Sequence, residues 1–365
     1  MAKKVKIVNL KGMKRIPGTR NIVNDLLPPF SRQLSAMLSA GLPIITALET
    51  LREQADHPSF QAVLLSVQAS IENGSSFSES VMKFPTIFDT LYVNMVRSGE
   101  QAGQLSETTA RLATFLESSA RLKRKVKSAM MYPVIVLCLA VVIATLLIVF
   151  IVPKFGDMFS DFGANLPAPT QFLLDVSDFL QAYGIFVLVA IVVGVVMFNK
   201  WKATPAGAYK FDAIALKAPV SGMIIQKVAA ARFARTFAEL MASGVPILNA
   251  LDIVSGATGN KVAGKIILDA KDVVEKGEPL SVALLKQTVF PLMLVRMLQA
   301  GEKTGRIEDM LNSIADFYED EIETTLDGLT SLLEPLLMVF LGLIIGSIVV
   351  AMFLPIFKLG EVVSG

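Results

Sequence analysis

The chain has 365 residues, of which 53% are apolar and only 18% charged, and its mean hydropathy of +0.57 points to a membrane protein. A formal net charge of +2 lacks the basic footprint of a nucleic-acid binder. One cysteine excludes an internal disulfide, and one histidine excludes a histidine-rich metal site, so no metal or cofactor is implied.

Residues 1–28 open with MAKKVKIVNLKGMKR, which is basic and is not followed by the continuous apolar core of a signal peptide. They read as a flexible basic arm, either drawn weakly to an anionic membrane or simply solubilising. At Phe30–Glu49 the sequence becomes FSRQLSAMLSAGLPIITALE, and Phe233–Asp252 repeats it as FARTFAELMASGVPILNALD. Phe30, Leu34, Met37 and Leu38, like Phe233, Phe237, Leu240 and Met241, fall on one face of an amphipathic helix. Gly41 and Pro43, with their counterparts Gly244 and Pro246, end that helix and open the next, so each copy predicts a tight helical hairpin.

The duplication continues along the chain at a nearly constant offset of about 200 residues. Ser98–Gly103 (SGEQAG) answers Ala300–Gly305 (AGEKTG), Tyr132-Pro133 answers Glu334-Pro335, and Pro153 answers Pro355. In the first copy, residues 29–133, helices are predicted at 29–40, 43–55, 59–73, 76–83 and 87–101, with a long one from 104. No alternating pattern marks a strand, so an all-helical bundle is expected. Pro133 and Pro335 lie inside long helical patterns and are expected to kink them at the membrane.

Three apolar runs, 134–152, 179–198 and 336–354, are each about long enough to cross a hydrocarbon core of about 30 Å. The second is interrupted by Gln181, Tyr183 and Gly184. Residues 153–178 form a loop in whose middle Gly163, Pro167 and Pro169 disfavour regular structure, residues 199–335 are a linker followed by the second bundle, and 355–365 are a tail. Arg121, Lys123, Arg124, Lys125 and Lys127 precede the first span, and Lys200 and Lys202 follow the second. The positive-inside rule then places both bundles and the N-terminus in the cytoplasm, and the loop and tail outside. The same basic cluster reads first as a lipid-headgroup anchor, and alternatively as a dock for an acidic partner.

Catalytic constellations are scarce. Gly259–Lys265 resembles the start of a phosphate-binding loop, but Ile266 stands where a metal-binding hydroxyl is needed and no strand precedes it. His57 before Pro58 reads as a solvated turn residue, and Cys138 as a small apolar side chain within a span. The chain is therefore expected not to be an enzyme. In the paired Gly99-Glu100-x-x-Gly103 and Gly301-Glu302-x-x-Gly305, helix ending by glycine and a carboxylate near a helix start are the favoured roles. Pairing with a partner's arginine is the sharper alternative. Arg32 and Arg235 beside the apolar stripes are expected to pair with Glu100 and Glu302.

These duplicated motifs and three spans resemble the type II secretion F family, the GspF/PilC-type inner-membrane platform proteins, over about residues 29–358. The resemblance implies an all-α membrane protein with two homologous six-helix cytoplasmic bundles and three transmembrane helices. It also implies a bacterial inner membrane, a periplasmic loop and tail, and a homo-oligomer, dimer or higher. Its implied partners are a hexameric cytoplasmic assembly ATPase, pilin or pseudopilin subunits, other inner-membrane assembly proteins and lipids. Arg32, Gly41, Pro43, Gly99, Glu100, Gly103, Arg235, Gly244, Pro246, Gly301, Glu302 and Gly305 are its motif positions and so candidates for partner contact. Two other classes stay open: a membrane transporter, which needs polar residues along a path through the spans, and a membrane-anchored signalling adaptor.

Overall fold

The computed structural model describes residues 16, 18–161, 167–285 and 287–364. Most of the basic arm, residues 1–15 and 17, lies outside the described residues. Two compact units divide the chain: Met1–Arg124 with Tyr209–Ile322, and Lys125–Ala208 with Glu323–Gly365.

In chain order, a short α1 (Thr19–Asn21) leads through a π-helical turn, Ile22–Leu26, into α2 (Leu27–Ser39). There follow α3 (Ile44–Gln54), α4 (Pro58–Glu72), α5 (Phe77–Met82), α6 (Thr90–Gln101) and α7 (Leu105–Leu146). A second π-helical turn, Leu147–Ile151, joins α7 to α8 (Val152–Asp161), and then come α9 (Ala168–Ala203) and α10 (Pro205–Lys217). The second copy runs α11 (Ser221–Ala242), α12 (Ile247–Ala257), α13 (Lys261–Glu275), α14 (Leu280–Leu285), α15 (Leu292–Thr304) and α16 (Ile307–Ser364). No strand occurs among the described residues, and six helices of each copy correspond one to one.

The first unit holds both helical bundles. Gly41 and Gly244 adopt φ of 81° and 73°, the left-handed conformation that ends α2 and α11 without a Cβ penalty. Pro43 and Pro246 stand one residue before α3 and α12, in extended backbone (ψ 141° and 139°), so each hairpin turns within four residues, 40–43 and 243–246. The stripes close the cores as patterned: Phe30 and Leu34 are buried, with Phe30 edge-on to Phe60 at 5.3 Å, and Phe233 stacks on Phe237 at 5.5 Å. Each such side chain contributes about 1.5–3 kcal/mol on burial. Ser76 and Glu79 form a reciprocal capping box at α5, and Asp89 caps α6 through the Tyr92 amide at 2.8 Å.

Three boundaries differ from the sequence expectation. The N-terminal arm is shorter than 28 residues, because Ile22 and Leu27 are buried in the core. The stretch after residue 199 is not an open linker. It is the end of α9, to Ala203, and then α10, which meets α11 at 113° around Pro219. The loop predicted at 153–178 is mostly helix, α8 reaching Asp161 and α9 starting at Ala168. Pro167 and Pro169 do not break α9 because they occupy its N-cap and first turn, where no helical N–H is required.

In the second unit, Leu105–Asp157, Ala168–Ala203 and Ile307–Leu354 contain stretches long and apolar enough to cross a membrane. Helices α7 and α16 run through Pro133 and Pro335, and α16 continues to Ser364 through the stretch expected as a tail. Val152, Ile348 and Met352 form an apolar cluster, joined by Ala144, Ile344 and Leu174. The Val149 carbonyl lies in the π-helical turn, where the Val152 N–H reaches back to the Leu147 carbonyl, and Pro153, which has no N–H, follows directly. The Gln181 side-chain amide of α9 donates to the Val149 carbonyl at 3.2 Å. Pro355, inside the α-helical α16, supplies no N–H to the Ala351 carbonyl, which accepts from the Thr170 hydroxyl, also of α9, at 2.5 Å. In a medium without water such carbonyls need an internal donor, and the middle helix supplies one to each repeat.

Candidate interaction site built on the duplicated motifs

The motif residues fall into two separate local devices in each repeat. The expected pairing of Arg32 with Glu100 is not made. Arg32 instead forks onto Glu117 of α7, its Nε 2.9 Å from Oε1 and its Nη2 2.6 Å from Oε2, with Thr114 accepting a third bond at 2.9 Å. Arg235 likewise binds Glu319 (3.2 Å), Asn312 (3.2 Å) and Asp316 of α16 rather than Glu302. The bond from Arg32 holds the Glu117 carboxyl below its ordinary value, and the same bond raises the guanidinium. Glu117 and Glu319 are repeat counterparts, so their recurrence with Arg32 and Arg235 was the available sequence signal for this pairing.

Glu100 and Glu302 are capping carboxylates, but of a different helix from the one expected. Glu100 sits in the last turn of α6 and accepts from the amides of Phe77 (2.6 Å) and Ser78 (3.0 Å), the first residues of α5. Glu302 accepts from the Ser281 amide at 3.3 Å and from its hydroxyl, at the start of α14. An anion there meets unpaired N–H groups and the positive helix end. The two glycines of the motif differ in purpose. Gly103 and Gly305, at φ 69° and 72°, end α6 and α15, whereas Gly99 and Gly301 remain helical because the next helix crosses too closely. A Cβ on Gly99 would stand 2.6 Å from the Thr108 hydroxyl, and one on Gly301 would stand 2.8 Å from the Ile307 Cα.

The two repeats meet in the first unit along a seam that the sequence did not disclose. Arg111 of α7 binds Glu308 of α16 at 3.3 Å, and the Ser98 hydroxyl donates to the Ser243 carbonyl. A cavity of about 360 Å³ lies along this seam, lined by Leu91 and Phe115 from the first repeat and by Arg232, Thr236 and Gly259 from the second. Burial raises the Asp89 and Glu239 carboxyls and lowers the Arg232 guanidinium in this region.

The basic cluster is partly engaged. Lys123 bonds Asn24 at 2.7 Å, Lys125 pairs with Glu323, and Arg121 adds to the field that lowers Glu117. His57 is not a solvated turn residue. It is half-buried, its ring packs against Gly18, and its Nδ1 has no hydrogen-bond partner among the described residues. The loop at Gly259–Lys265 ends on Asn260, which caps α13 through the amides of Val262 and Ala263, while Asp212 takes the Lys261 amide at 2.7 Å. That helix start is filled by the protein's own groups.

A family model described as "Type II secretion system (T2SS), protein F" matches residues 30–153 and again 233–355, the two repeats read from the hairpins. The chain belongs to this family. Among its relatives, a type IV pilus assembly protein PilC of Thermus thermophilus is 42% identical over 353 residues, 96% of this chain and 86% of the relative. PilC of Myxococcus xanthus is 40% identical over 97% of this chain and 85% of its own length. A type II secretion system protein F of Vibrio cholerae is 33% identical over 94% of this chain and 85% of its own length. In this family member the motif residues build the helix junctions of each repeat.

Proposed function

We propose that this chain is the inner-membrane platform of a type IV pilus or type II secretion machine, with both helical bundles in the cytoplasm. A hexameric cytoplasmic assembly ATPase acts on the bundles. The helices that carry Pro133 and Pro335 pass that movement to the spans, where pilin or pseudopilin subunits enter or leave the membrane. The duplicated family match, with relatives assigned to pilus assembly and to secretion along nearly the whole chain, carries this reading. The greater identity to the pilus relatives, 42% and 40% against 33%, favours the pilus system. Basic residues before the first span and after the second support the cytoplasmic placement of the bundles.

Among the described residues, the polar side chains of Gln181 and Thr170 donate to backbone carbonyls, which counts against their lining a transport path. The reading is tested by isolating the tagged full-length chain from native membranes. A hexameric ATPase and pilin-like subunits should copurify, and their absence, or nucleotide hydrolysis by the chain alone, would reject it.

A further inference from the structure

The repeats of the first unit pack head to tail rather than face to face. The surface of the first repeat formed by α6 and α7 is covered by the α11–α12 surface of the second. A two-fold arrangement would also cover the matching α15–α16 surface with α2 and α3, and it does not. Leu91 and Phe115 are 3% and 8% exposed, whereas their counterparts Met293 and Phe317 are 50% and 47% exposed. Met293 and Phe317 line an open groove of about 360 Å³ with Met223, Lys227 and Tyr318, to which the first repeat contributes no described residue. The covering surface is also present twice. Thr236 is buried in the seam, while its counterpart Gln33 is exposed, as are Pro29 in place of Arg232 and Asp56 in place of Gly259.

The second unit, taken by itself, repeats the pattern. Ala144 of the first span packs in the cluster with Ile344, Ile348 and Met352 of the third, and Ala140, one helical turn before it, is buried. Their counterparts Gly342 and Gly346 have no atom within 4 Å of where a Cβ would stand. Val142, Leu146 and Phe150, the counterparts of the three large residues, are exposed. So in each unit the chain uses one socket and one plug and leaves the equivalent plug and socket open.

We propose that the open α15–α16 groove receives the α2–α3 surface of a second copy of this chain, repeating between molecules the contact made between repeats. A contact between unlike faces either closes into a ring or continues as an open array. Lys227 of the groove is paired with Glu321 at 2.9 Å, so the occupant is chosen by continuity with the seam between the repeats, in which an α6–α7 surface already receives an α11–α12 surface. In the membrane, the same rule seats Val142 and Leu146 of one copy against Gly342 and Gly346 of the next, where small residues allow close helix approach. The proposal rests on the internal seam and not on the assignment to a pilus or secretion machine.

The test uses two differently tagged full-length chains, both carrying Cys138→Ala, co-expressed and crosslinked in native membranes with bismaleimides of graded length. One chain carries Asp56→Cys and the other Met293→Cys, and a second set pairs Leu146→Cys with Gly346→Cys. A product bearing both tags from either mixed set, exceeding the self-linked products of the single variants, is expected. Absence of the mixed product from both sets, a dominant Met293→Cys self-linked dimer, or capture of that cysteine by a protein of another mass would overturn the proposal. Met293→Glu provides a second readout. It should shift the purified chain to a smaller assembly by native mass measurement while its helical signal stays unchanged, and an unshifted assembly would count against the contact.

Discussion

Gln181 donates its side-chain amide to the Val149 carbonyl at 3.2 Å, within the π-helical turn that Pro153 follows in the first span. A glutamine that looks like an interruption of the middle span is thus a donor to the backbone of the neighbouring span. Thr170 performs the same task for Ala351 and Pro355.

Gln181→Leu should therefore destabilise the detergent-solubilised protein by about 0.6–1.7 kcal/mol, the range of hydrogen bonds between membrane helices. In a Pro153→Ala background, where residue 153 regains its N–H, the same substitution should cost much less. Thermal unfolding of the four variants in a double-mutant cycle measures the difference. An equal cost in both backgrounds would separate Gln181 from Pro153.

The Arg32 and Arg235 pairs should differ in strength because they differ in exposure. Arg32 is 43% exposed and Glu117 38%, so Glu117→Gln is expected to cost only about 0.2–1 kcal/mol. Arg235 is 15% exposed with three acceptors, and Arg235→Met should cost about 1.5–3 kcal/mol. The exchange Arg32→Glu with Glu117→Arg should recover stability lost in either single variant, whereas Arg32→Glu with Glu100→Arg should recover none.

Acid should expose the same pair. The Glu117 carboxyl lies below its ordinary 4.5 in the folded chain, so its contribution is complete above pH 4.5 and disappears as pH falls through the folded value. Stability curves of the parent and Glu117→Gln should converge below that point and separate above it. A constant gap across pH would contradict the ion pair.

Helix crossings at the motif glycines make a further comparison. Gly99→Ala meets a threonine side chain that can shift, whereas Gly301→Ala meets the backbone of Ile307. Overpacking costs typically about 1–3 kcal/mol, and Gly301→Ala should fall at the upper end with Gly99→Ala below it. Chemical denaturation of the two variants ranks them, and the reverse order would show that the α15–α16 crossing yields more easily than the α6–α7 crossing.

Much of the architecture was legible because a duplicated sequence reports each helix end twice. Gly41 and Gly244, or Gly103 and Gly305, mark the same turn in two contexts, and left-handed backbone is a local requirement that glycine discloses. The carboxylate partners were harder to read because they depend on tertiary packing. Glu100 reaches amides 22 and 23 residues away, and Arg32 reaches Glu117 85 residues away, and many acids compete at such separations. Pro167 and Pro169 misled as helix breakers because proline's effect depends on whether it stands inside a helix or in its first turn. The head-to-tail seam left no local mark in either repeat, since it follows from which faces meet.

The common placement of the two bundles is tested most directly by protease sites inserted at Gly74 and Gly277. These glycines are counterparts at open turns, both at positive φ, with no atom within 4 Å of a built Cβ. Both sites should be cut in inverted inner-membrane vesicles and neither in intact spheroplasts. Cleavage of Gly74 and Gly277 from opposite sides of the bilayer would contradict a platform whose two heads share the cytoplasm.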